Sequence, residues 1–169
     1  MHNFKAAVDR MASFPRTLKT LVDGLPASDL RWKPPSGAWS ILEILCHLAD
    51  EEVADFRPRV ERTLAGRNWD PIDPEGWVHE RHYNGQSPDE VLARFAVERE
   101  KSVTWLKSLT APDWDAVHEH PALGSISAGD VMASWCAHDA LHLRQIAKRL
   151  FELANRDGSP YLTGYAGSW

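Results

Sequence analysis

Along most of the chain, apolar residues return every three or four positions, the spacing of one helix face, and strand-like alternation is nearly absent. Four segments carry this pattern. The first covers roughly residues 2–24, with Phe4, Val8, Met11, Leu18, Leu21 and Val22 on one stripe. Pro15 lies inside it and should kink the helix or begin a new turn. The second opens at Ser40-Ile41-Leu42-Glu43, a capping box in which the hydroxyl satisfies a free backbone N–H and the carboxylate reaches back. It should run to about Ala65, bent near Pro58, with Gly66 ending it. The third starts at Ser87-Pro88-Asp89-Glu90, a second capping box with proline at the favoured first position. Val91, Leu92, Phe95, Val103, Leu106 and Leu109 form its apolar face. The fourth begins near Ser127 and reaches about Ala154.

Four helices of this length predict an all-α four-helix bundle, and 169 residues suit one domain spanning 1–169. Between helices two and three lies a long loop, GRNWDPIDPEGWVHERHYNGQ, rich in Pro, Gly and aromatics. Loops of this length are often functional, and this one should cover an end of the bundle. The tail over 156–169 carries Tyr161, Tyr165 and Trp169, which we expect to pack on the domain or on a partner chain.

Composition narrows the function. A net charge of −5 with no basic stripe argues against nucleic-acid binding, which needs clustered Lys and Arg. No segment approaches the roughly 18 apolar residues of a membrane helix. The opening MHNFKAAVDRM is charged where a signal peptide is apolar, so a cytoplasmic protein is expected. Cys46 and Cys136 match no zinc-ribbon or thioredoxin spacing and read as small hydrophobes. There is no nucleophile elbow, P-loop or dinucleotide fingerprint. Eight tryptophans imply large apolar surfaces. Trp69 and Trp77 in the long loop suit a substrate pocket or a core plug equally, and packing is role enough for Trp32 and Trp39. The loop histidines His79, His82, His118 and His120 read as exposed.

The chemistry concentrates in SWCAHDALHLRQIAKRL. His138 and His142 are four residues apart and so only 40° apart around a helix, with Gln145 on the same strip. That spacing serves two ligands of one metal or a hydrogen-bonded pair equally well. In ILEILCHLADEE, His47 lies on another apolar helix with Glu51 one turn further on the same strip. Were the two faces to meet, three histidines would give the set of a catalytic zinc-type site with a fourth position open. Glu51 would then be a general base or a partner of a ligand, and Gln145 would orient a histidine or bind substrate. Asp139 points away from the strip, toward a salt bridge or cap on another helix.

LRWKPPSGAWSILEILCHLADEE, followed about ninety residues later by HDALHLRQI, resembles the DinB-like superfamily, the DinB/YfiT-type candidate metalloenzymes. The resemblance extends over nearly the whole chain: a proline in helix one, the LP…L.W.P..G.WS connection, the helix-two histidine and the HD..HL.QI signature. It implies an up-down-down-up bundle, often a homodimer, with a divalent metal, Zn or Ni first among the candidates, on His47, His138 and His142. It also implies an enzyme that activates either a low-molecular-weight thiol cofactor (S-transferase type) or a water (hydrolase type) against a small-molecule substrate. The rival reading is a non-enzymatic helical domain that binds a metal, a ligand or a partner, including one tied to stress responses.

Overall fold

The computed structural model describes residues 3–167 and 169. His2, within the first expected helix, lies outside the described residues. Among the described residues, seven α-helices and one hairpin follow in chain order: α1 (Phe4–Val22), α2 (Ala27–Leu30), α3 (Ile41–Glu51), α4 (Arg57–Leu64), α5 (Pro74–Glu80), α6 (Pro88–Ser108), β1 (Val117–His120), β2 (Gly124–Ser127) and α7 (Ala128–Gly158). The long bundle rods are α1, the α3–α4 pair, α6 and α7, arranged up-down-down-up. Around the bundle, α1 and α3 each pack against both α6 and α7. No described helix is long and apolar enough to cross a membrane.

The helix starts follow local chemistry. The Ser40 hydroxyl accepts from Glu43 N while Glu43 accepts from Ser40 N, completing the expected box. Ser127 and Asp130 make a second box at the head of α7. At α6 the expected box does not form: Ser87 is the cap residue but makes no side-chain cap bond, and Pro88 alone marks the start. Proline also fails to interrupt α1, which runs through Pro15. The second rod changes pitch instead of breaking: Glu52–Phe56 form a π-helical turn just before Pro58, joining α3 to α4. A wider turn accommodates the missing proline N–H, and such turns recur at functional sites. Gly66 ends the rod at φ +63°, with Arg67 N donating to Arg62 O and Gly66 N to Thr63 O, a Schellman closure.

The connections are more ordered than the periodicity suggests. Because α3–α4 and α6 point the same way, the chain must travel back along the bundle between them, and it does so through α5 and a 3₁₀ turn at Tyr83–Gly85. Buried Asp50 fixes this return: its Oδ2 accepts from Arg81 at 2.6 Å and from the Tyr83 hydroxyl at 2.7 Å, and Arg94 lies 3.2 Å from Oδ1. Trp77 is a core plug capped by the Arg81 guanidinium, 3.9 Å from its ring. The antiparallel β1–β2 hairpin, unforeseen from the sequence, pairs Val117 with Ser127. His118 stacks on Trp69 at 4.2 Å, and Trp69 Nε1 donates to Thr63, tying the hairpin to α4. In the tail, Trp169 reaches Phe151 at 5.9 Å, whereas Tyr161 and Tyr165 are exposed and do not pack on the chain.

Two apolar clusters fill the bundle. One centres on Leu18, Ile44, Leu48 and Phe95, the other on Met11, Val60, Leu106 and Trp135. Arg99 of α6 reaches both, only 1% exposed. It donates to Glu52 Oε1 at 2.8 Å and forks onto Asp139 at 2.6 and 2.8 Å. Trp135 Nε1 donates to the other Glu52 oxygen at 3.0 Å, and Met11 O accepts from Arg99 at 3.4 Å. This is the salt bridge to another helix expected of Asp139. Removing the cation would leave two carboxylates buried and unpaired, a loss of about 3–5 kcal/mol. Arg99→Met should therefore lower unfolding stability by about that much in urea titrations, while Arg16→Met on the surface changes it by less than about 0.5 kcal/mol.

Candidate metal centre

His47 comes from the middle of α3, where its neighbours Ile44, Cys46 and Leu48 are buried in the core. His138 and His142 come from successive turns of α7. The bundle brings the two faces together. The Nε2 atoms of His138 and His142 are 2.7 Å apart, and those of His47 and His138 are 3.3 Å apart. One donor atom from each of the three histidines lies within 4.8 Å of the others. Nitrogens bound at 2.0–2.1 Å in a tetrahedral set stand about 3.3 Å apart, so the cluster is of the right size for one cation.

The surroundings keep these imidazoles neutral. Burial pushes His47 down to about 2, helped by the neighbouring imidazoles, and pushes His138 and His142 down to about 4 and about 3. Neutral imidazole is the ligand form. His142 Nδ1–H donates to Gln145 Oε1 at 2.8 Å, which selects the tautomer whose Nε2 lone pair faces the other histidines. Trp39 lies against His47 at 4.8 Å and Phe56 against His138 at 4.8 Å, giving the cluster aromatic walls. His47 Nδ1 is buried without a hydrogen-bond partner.

Glu51 reaches the same point. Its Oε2 is 3.0 Å from His138 Nε2 and 3.5 Å from His47 Nε2. Desolvation raises its carboxyl to about 7, partly offset by Arg59. Asp55, one turn on, is raised to about 7 by the same burial. Beside the cluster opens a cleft of about 450 Å³, with Trp39, Ile44, His47, His142, Gln145 and Arg149 on its walls and Pro74 and Glu75 of α5 above.

All five residues singled out in the sequence thus meet: His47, Glu51, His138, His142 and Gln145. The other candidates fall elsewhere. Cys46 is buried on the far side of α3, its thiol donating to Tyr83 O at 3.6 Å and pushed up to about 12 by burial. His79 sits on α5 and His118 and His120 on β1, away from the cluster. Trp69 and Trp77 do not line the cleft. The residues that sequence reasoning missed are Trp39, Phe56 and Arg149. Arg149 was visible as the next member of the strip His138, His142, Gln145, but an arginine on a helix ordinarily reads as solvated surface.

Comparison with known proteins places these features in company. A model of the DinB superfamily matches residues 11–146. A candidate metal-dependent hydrolase of Oceanobacillus iheyensis is 28% identical over 141 residues, covering 82% of this chain and 81% of that protein. Another from Bacillus pumilus is 24% identical over 147 residues, covering 85% and 83%. Among solved structures, YfiT of Bacillus subtilis, described as a probable metal-dependent hydrolase with an unusual four-helix bundle topology, has the same fold. Its TM-score is 0.78 at 21% identity, over 94% of this chain and 89% of that one.

Burial of neutral imidazole carries a pH signature in the metal-free protein. Each folded-state pKa lies below the unfolded value, so the unfolded chain binds more protons, and the stability from keeping these groups neutral is complete above about pH 6.5. It is lost as the pH falls toward 4. Glu51 and Asp55, shifted upward, act in the opposite sense: their contribution is complete below about pH 4 and is lost as the pH rises through about 7. We expect the metal-free protein to lose stability between pH 6.5 and 5, and His142→Gln to remove about 1–2 kcal/mol of that loss in denaturant titrations.

Proposed function

Because the chain belongs to the DinB superfamily, we propose that His47, His138 and His142 hold a divalent ion, zinc or nickel first among the candidates, and that the protein is a metal-dependent hydrolase of small substrates. The observation that carries this reading is the convergence of three Nε2 atoms with the Glu51 carboxylate beside a cleft. A bound divalent ion would supply Lewis acidity, polarising a carbonyl-type oxygen and acidifying a water.

The chain's own residues would do the rest. Glu51, raised toward neutrality by burial, suits a general base that takes a proton from water and returns it to the leaving group. The proton would be held on Glu51 Oε2, which already faces the histidine edges. Gln145 would keep His142 in its ligating tautomer. Trp39 and Ile44 would exclude bulk water from one side of the cleft, and Pro74 and Glu75 would limit entry from above.

Water activation is favoured over thiol activation by the position of Glu51, since a thiol that ionises on a metal needs no such base. An open position would distinguish this reading from that of a metal-stabilised structural domain, whose site would be closed by a fourth protein ligand such as Glu51. Two measurements test it. Elemental analysis should find about one zinc or nickel per wild-type chain, and His47→Ala, His138→Ala and His142→Ala should each lower that content severalfold. Glu51→Gln should keep the metal while lowering hydrolysis of a small ester or amide by roughly 10²-fold or more. Loss of the metal in Glu51→Gln would mark Glu51 as the closing ligand and defeat the hydrolase reading.

A further inference from the structure

Arg149 is 6% exposed and stands on the wall of the same cleft as His47 and His142. Its Nε and Nη1 are buried and make no hydrogen bond among the described residues. Glu152 Oε2 lies 3.0 Å from Nη1, a salt bridge without hydrogen-bond alignment, while Nε has no partner among the described residues. The contrast with Arg99 is direct: that guanidinium, equally buried, donates to two carboxylates and a carbonyl. Idle buried donors on a cation are costly, and a planar fork is suited to an oxyanion. Arg149 also does not stand alone. A neighbouring cavity of about 440 Å³ shares Gln145 and Arg149 with the cleft and is lined besides by Arg144, Lys148 and Trp169. Among the described residues, the exposed Glu75 is the one acidic side chain on the wall of the cleft.

We infer that Arg149 is a substrate-binding residue that takes the anionic group of the substrate, a carboxylate or a phosphate, with Arg144 and Lys148 adding positive potential around it. This rests on the hydrolase reading and narrows its substrate class to small esters or amides bearing an oxyanion. The spacing sets their length. Seven residues of helix separate His142 from Arg149, a rise of roughly 10 Å, so the oxyanion sits several bonds from the group being cleaved. Gln145 lies between them and faces both cavities.

Binding of non-hydrolysed probes tests this separately from turnover. Pentanoate, 1-pentanol, glycerol 1-phosphate and glycerol would be titrated by calorimetry into zinc-loaded and metal-free protein, for wild type, Arg149→Gln and Arg149→Lys. In wild type at least one charged probe should bind about tenfold or more tightly than its neutral counterpart, and the stronger pair identifies carboxylate or phosphate as the group recognised. Arg149→Gln should reduce that ratio to about threefold or less with an unchanged zinc content, and Arg149→Lys should recover part of it. Equal binding of charged and neutral probes to wild type overturns the inference without recourse to any variant. So does a preference that survives in a folded Arg149→Gln protein. If wild type takes up no metal but the charged probe still depends on Arg149, the hydrolase reading fails while the anion site stands.

Discussion

The buried guanidinium of Arg99 is the contact on which the rest of the architecture depends. Its partners come from every long rod: the Met11 carbonyl of α1, Glu52 of the π turn and Asp139 of α7, with Arg99 itself on α6. Each carboxylate adjoins a member of the histidine cluster. Glu52 follows Glu51, and Asp139 follows His138. Fixing the rotation of α7 through Asp139 therefore aims His138, and fixing the second rod through Glu52 aims Glu51 in the same way. Hydrophobic burial holds the bundle closed but tolerates small rotations of one helix against another. A bidentate ion pair in a dry interior does not.

Around that fixed frame, the cluster is built from ordinary materials arranged to keep water out and charge low. Imidazoles surrounded by aromatic rings and core aliphatics stay neutral, and a carboxylate beside them is pushed toward neutrality as well. The same desolvation produces both effects with opposite sign, because it disfavours whichever form is charged. Buried polar groups that are fully partnered and those that are not consequently mean different things here: Arg99 holds helices, while Arg149 faces a space.

Much of this was legible in the chain, for reasons that differ by residue. The cap at Ser40, the start of the fourth helix near Ser127 and the closure at Gly66 are local chemistry, and local chemistry reads directly from neighbours in sequence. His138, His142 and Gln145 share a strip through helical geometry alone. What brings His47 to them is tertiary, and only the joint motif pointed there. The hairpin escaped because four-residue strands such as VHEH and GSIS are too short for alternation to stand out. At Ser87 the residue types of a box are present, but the side-chain bond does not form and Pro88 at the first helical position is what marks the start. The order in the long connection depends on Asp50, more than thirty residues away from Arg81 and Tyr83, a distance no local pattern spans.

The direction of the rods has an outcome of its own. Since the second and third run in parallel, no tight turn can join them, and the polypeptide is obliged to climb back past the mouth of the cleft. A roof over the site is thus a by-product of topology, anchored to the four-rod frame at Asp50 and through the buried side chains of Trp77, Val78 and Tyr83. Insertions or deletions between Gly66 and Pro74 could reshape the entrance while leaving the histidines where they are. In a fold arranged like this one, the histidine cluster and the entrance above it are able to evolve on separate clocks.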